Sequence, residues 1–112
     1  MKAISMIFAA VLLGVSGSAA SQSSRGLTAN DLYSICQSNR NVCMAYVRGA
    51  VEGYQWSATV HNNKDLFCLP TGHDFGQVTD VVIKSLRDDP ANRHEQAILI
   101  VLLSVVKAFP CG

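Results

Sequence analysis

The chain has 112 residues, 49% of them hydrophobic, with nine Lys and Arg against eight Asp and Glu. Such a length and composition describe one globular domain, and a near-even charge without a basic run excludes nucleic acid or an anionic membrane surface as its main partner. A domain this small buries only a modest core, so covalent staples matter to its stability.

Residues 1–20 carry the three parts of a cleavable export signal: a positive start at Lys2, an apolar run from Ala3 to Val15, and small residues at Ser18, Ala19 and Ala20. The apolar run is about thirteen residues, short of the roughly twenty that a bilayer-spanning helix needs. The expectation is cleavage near Ala20 and no membrane attachment afterwards. Residues 21–26 are Ser-rich and read as a flexible lead-in, and residues 27–112 as a single domain. All four cysteines, Cys36, Cys43, Cys68 and Cys111, lie in that domain. In the oxidising compartment that an export signal implies, an even set of cysteines pairs into disulfides.

Order begins at Leu27. Thr28 with Asp31 three residues on is a capping-box pattern, and the helix it starts runs to about Gln37, burying Leu32, Ile35 and Cys36. Gln37 to Asn41 has no apolar residue and reads as a turn. Beyond it Cys43, Tyr46, Val47, Ala50, Val51 and Tyr54 recur at three- and four-residue spacing, one face of a second helix. Gly49 and Gly53 lie one turn apart on it, each costing about 1 kcal/mol relative to Ala. They suggest either that another backbone approaches closely or that the helix frays at Gly53.

The pattern fades from Gln55, and His61 to Asp65 is polar and loop-like. Asp74 followed by Gln77 starts a third helix whose inner stripe is Val78, Val81, Val82 and Leu86. It stops near Asp88-Asp89-Pro90, where the proline steers its predecessor out of helical geometry. A last helix starts between Pro90 and Glu95 and ends at Phe109-Pro110. Only Ser104 and Lys107 are polar between Ala97 and Phe109, a pattern that predicts burial on nearly every side. With no strand-like alternation after residue 20, the expected fold is all-α: a compact bundle of about four helices stapled by two disulfides, with the last helix at its centre.

Four cysteines permit three pairings. A Cys36–Cys43 bridge requires a break in the helix between them, because seven helical rises separate alpha carbons by about 10 Å where a disulfide tolerates roughly 7 Å. Cys68–Cys111 then ties the entry of the third helix to the chain's end. This arrangement is favoured; the nested one, Cys36–Cys111 with Cys43–Cys68, stays open.

No catalytic constellation emerges. His61, His73 and His94 are candidate bases for a cysteine nucleophile, but an oxidised sulfur cannot attack. There is no zinc-ligand spacing, phosphate loop, nucleophile elbow or calcium loop. The reading is a protein that is not an enzyme and holds no cofactor or metal.

The run Cys43-Met44-Ala45-Tyr46-Val47-Arg48-Gly49 resembles the Cys-x-x-Tyr-x-x-Gly segment of the Rap/Tai family of type VI secretion immunity proteins. Phe67-Cys68-Leu69-Pro70, Gly76-Gln77-Val78 with Val81-Val82, and Pro90, Arg93-His94 and Phe109-Pro110-Cys111 resemble that family's middle and C-terminal blocks. The resemblance implies a periplasmic helical domain that binds a cognate secreted peptidoglycan amidase and occludes its active site. Gln55 to Lys64 matches no family motif, and recognition specificity is expected there. The candidate contact residues are Trp56, His61, Asn62, Asn63, Lys64 and Asp65 in one region and Asp88, Asp89, Arg93, His94 and Glu95 in another, with Arg93 alternatively pairing Asp88 or Asp89 of its own chain. The apolar last helix adds a homodimer to the expectations. The competing function is an acid-activated periplasmic chaperone, whose similar small helical fold loosens as carboxylates protonate.

Overall fold

The first helix, α1, spans Ala29–Ser38 and is started by the complete capping box: Thr28 accepts from the backbone N–H of Asp31, and Asp31 accepts from that of Thr28. The computed structural model describes residues 26–112. The export-signal reading and all of the lead-in except Gly26 lie outside the described residues. The remaining helices are α2, Arg40–Val60, α3, Phe75–Asp88, and α4, Ala97–Ala108, with a 3-10 turn at Pro90–Asn92. The all-α expectation holds among the described residues, where the one β-type pairing is an isolated bridge between Thr28 and Gln96.

The break between α1 and α2 is narrower than the composition suggested. Gln37, Ser38, Arg40 and Asn41 are helical, and Asn39 alone leaves helical geometry, with φ −150° and ψ 96°. Its N–H donates to Ile35, closing α1, while its side chain accepts from Val42, opening α2. One extended residue brings the alpha carbons of Cys36 and Cys43 to 4.7 Å, and they form a disulfide. The other bridge is Cys68–Cys111, so the favoured pairing is the one present and the nested one is not.

The inner stripe of α2 falls where its spacing put it, and that of α3 differs at one position: Val81 is half-buried and lines a groove beside α4, while Thr79 is fully buried. Cys43, Val47, Ala50, Val51, Val78, Val82 and Leu86 are buried with Leu32 and Cys36 of α1 and with Val101 and Val105 of α4. Each buried Val or Leu contributes about 1.5–3 kcal/mol relative to an exposed one. Arg40 ties α2 to the start of α3, donating to the carbonyl of Gly76 and pairing with Asp80 at 2.8 Å.

Other expectations are corrected. The second helix does not end near Tyr54 but continues to Val60, 21 residues in all, about 31 Å long. Gly49 and Gly53 face open space, with nothing within 4 Å of a Cβ placed at either; among the described residues no backbone approaches them, and no fraying begins there. The last helix is not buried all round. It packs on α1, α2 and α3, yet Ile98, Leu99 and Leu103 are 44%, 45% and 54% exposed, while the polar Ser104 is buried and donates its hydroxyl hydrogen to Ile100.

The last helix also starts later than expected, at Ala97. The preceding stretch is occupied in capping α1: the N–H groups of Ala29 and Asn30, which have no partner inside their own helix, donate to the carbonyls of Glu95 and Arg93. In return the carbonyl of Leu27 accepts from Ala97, the first residue of α4. Two helix starts thus satisfy each other's backbone.

Candidate functional site

All four cysteines are in disulfides, so there is no thiol for a histidine to activate. The three imidazoles are engaged locally: Nδ1 of His61 bonds the carbonyl of Ser57, that of His73 the carbonyl of Pro70, and that of His94 the carbonyl of Ala91. Among the described residues no group of three His, Cys, Asp or Glu is placed to hold a metal ion, and no helix is long and apolar enough to cross a membrane.

The region from Trp56 to Asp65 divides into helix and turn. Trp56 belongs to α2 rather than to a loop and is 70% exposed. With Gly49, Glu52, Gly53, Gln55 and Thr59 it lines a shallow concavity of about 580 Å³. The two glycines, one and two turns before the indole, leave it open. His61 caps α2 and Asn62 takes the left-handed conformation at φ 51°, which asparagine tolerates better than most residues. Asn63 then donates back to Ala58 and closes the helix end. His61, Asn62, Asn63, Lys64 and Asp65 are all exposed. Asp65 sits beside the second bridge, its carbonyl oxygen 3.9 Å from the sulfur of Cys111.

The junction from Asp88 to Glu95 borders a groove of about 840 Å³ between α3 and α4. Lys84 donates to Asp88 at 2.6 Å and holds its carboxyl below the usual aspartate range, with Arg87 adding to the effect. Asp89 accepts from the side chain of Asn92, and Glu95 lies 3.4 Å from Nε2 of His94. Arg93 pairs with neither Asp88 nor Asp89. Its guanidinium stacks on the ring of Tyr33 at 4.3 Å, its Nε is buried without a partner, and its carbonyl caps α1, so this side chain holds the junction to α1.

The structure brings Asp88, Asp89 and Glu95 to one groove and leaves Trp56 on another concavity with no lining residue in common. Sequence reading missed the rest of that groove. Leu99, Leu103 and Lys107 line it beside Glu95, and their spacing of four puts the three in one row along α4. The signal was present but masked, because apolar residues surround α4 on every side.

The cysteines and histidines of this small helical body are engaged in structure, while Trp56, Leu66, Leu99 and Leu103 stand at its surface. The Rap1a immunity protein family model matches residues 28–111, and the chain belongs to that family. Comparison with curated proteins and with solved structures gives no match.

Proposed function

We propose that this immunity protein acts in the periplasm, where it binds a type VI secretion peptidoglycan amidase and inhibits it by covering the active-site cleft. The observation that carries the reading is the family match over residues 28–111. A cleft-covering inhibitor profits from a surface that loses little freedom on binding. In keeping with that, the turn after α2 is fixed by backbone bonds and adjoins a disulfide.

Trp56 is the proposed anchor, an exposed aromatic on a regular helix, and Asp88, Asp89 and Glu95 supply polar contacts at the second region. His61, Asn62, Asn63, Lys64, Asp65 and His94 complete the proposed contact set, while Arg93 acts by holding the junction. The test is growth of cells that export a candidate amidase with and without this protein. Protection is expected with the full chain and lost when residues 1–20 are deleted. Absence of protection against every co-encoded hydrolase would refute the reading.

The homodimer belongs to the same proposal, through the outer row of α4. Glu95 stands just ahead of the helix start, Lys107 in the last turn and Leu99 and Leu103 between them, so an antiparallel copy sets acid against base and leucine against leucine. A symmetric dimer needs such self-complementarity. Lys107→Glu should shift the mass by light scattering from dimer to monomer, and the swapped pair Glu95→Lys with Lys107→Glu should restore the dimer. A monomeric wild-type chain would remove this part of the proposal alone.

A further inference from the structure

Cys36 and Cys43 are 8% and 0% exposed, and both are helical residues, one in α1 and one in α2. Cys68 and Cys111 are both exposed, and both lie outside any helix. A thiolate must approach a disulfide sulfur in line with the bond it breaks, so access governs the rate of exchange. To reach the first bridge a reductant has to part α1 from α2; the second bridge is met at the surface.

We infer that Cys68–Cys111 is a thiol–disulfide exchange site, opened by a dithiol reductant while Cys36–Cys43 stays closed, and that its opening releases the segment between α2 and α3 without dissolving the helices. A thiolate of the reductant attacks one sulfur of the bridge, forming a mixed disulfide and expelling the other sulfur, which takes up a proton. The reductant's second thiol then closes on the mixed disulfide and frees the remaining cysteine as a thiol. Two electrons and two protons pass to the protein, and the dithiol leaves as a disulfide.

The contacts around the bridge define what is released. Residues 61–74 contain no helix, and between Asn63 and Pro70 the stretch is tied to the body by the bridge, by Phe67, which is buried in the core with its ring 5.3 Å from that of Tyr54, by Leu69 packed against the core, and by the N–H of Cys68 donating to the carbonyl of Phe109. That last bond joins the two segments the disulfide joins, and it is weakened once they separate. The four helices keep their packing on one another and the buried bridge, while Phe67 leaves the core with the segment. Exchange itself is independent of the proposed immunity role; only its effect on partner binding, through the turn at His61 to Asp65, rests on that reading.

The experiment treats the oxidised full domain with graded dithiothreitol, alkylates the thiols formed, and maps them by mass spectrometry while circular dichroism records helix content. Cys68 and Cys111 are expected to be labelled faster than Cys36 and Cys43 by on the order of tenfold or more, with the helical signal kept at the two-thiol stage. Equal rates, earlier labelling of Cys36 and Cys43, or loss of helix together with the first bridge would each overturn the inference. The Cys68→Ser/Cys111→Ser variant should reproduce the helix content of the two-thiol form; if it does not fold, labelling of the wild-type chain still decides. Where a cognate amidase is in hand, opening the bridge should weaken its binding, and a failure confined to this arm counts against the immunity surface rather than the exchange site.

Discussion

The two connections that disulfides close are built by different means. Between α1 and α2 a single extended residue, Asn39, makes the turn, caps both helices and sets two buried cysteines face to face across a sequence separation of 7. Between α2 and the chain's end a separation of 43 is closed by an exposed bridge with few backbone bonds beside it. Where local hydrogen bonding already fixes the geometry the sulfur bond is a reinforcement; where it does not, the sulfur bond is the constraint. Loop-closure entropy says the same, assigning about 4 kcal/mol to the longer bridge and about 2.5 kcal/mol to the shorter.

The sharpest way to break this contrast is to remove each bridge in turn. Cys68→Ser/Cys111→Ser should lower unfolding free energy by about 4 kcal/mol in urea titrations, a large share of the 5–15 kcal/mol typical of a domain. Removing Cys36–Cys43 should cost less in the closure term, about 2.5 kcal/mol, and replacement by alanine rather than serine avoids placing buried hydroxyls in the core. If the short bridge proves the costlier, Asn39 does not hold the turn by itself. Asn39→Ala tests that residue directly, with an expected loss of about 1 kcal/mol from the missing side-chain cap.

Gly49→Ala and Gly53→Ala should each stabilise the chain by up to about 1 kcal/mol, because both lie inside α2 with open space where the methyl would go. A destabilisation would mean that the space beside these glycines is occupied. The same variants should leave helix content unchanged and weaken any partner that approaches the concavity beside Trp56.

The smallest effect expected is that of acid. Asp31 is held below the usual aspartate range by the N–H and hydroxyl of Thr28, and Asp88 by Lys84 and Arg87. A lowered folded value means the stabilisation is complete above the ordinary aspartate value, near pH 4, and is lost as pH falls through the lower folded values. Both groups lie at the surface, so the urea midpoint should decline gently below about pH 4. An abrupt collapse there, with dye binding and holdase activity, would instead favour the acid-chaperone function.

Much of this architecture was legible because it is written locally. Thr28 with Asp31 and Asp74 with Gln77 mark helix starts by chemistry that acts over three residues, and the stripes of α2 and α3 alternate cleanly between apolar and polar. The last helix was not legible in orientation, since a helix apolar on all sides carries no contrast to say which side turns inward; Ser104 inside and Leu103 outside invert what polarity alone suggests. The length of α2 was hidden for a related reason. Past Tyr54 it has one buried residue, Ala58, and a helix that leaves the core stops displaying a stripe. Of the candidate site, the polar residues at both regions were named from composition, whereas Leu99, Leu103 and Lys107 and the inward role of Arg93 depend on contacts made across the fold.

The exchange of backbone bonds between the two helix starts also sets a limit on how far the front of the chain can be trimmed. Leu27 supplies the acceptor for the first amide of α4 and Thr28 the cap of α1, so a cut near Ala20 would spare both, whereas one eight residues later, after Thr28, would take a contact from two helices at once. An N-terminal ladder of truncations should therefore show a cliff, not a slope, at that position.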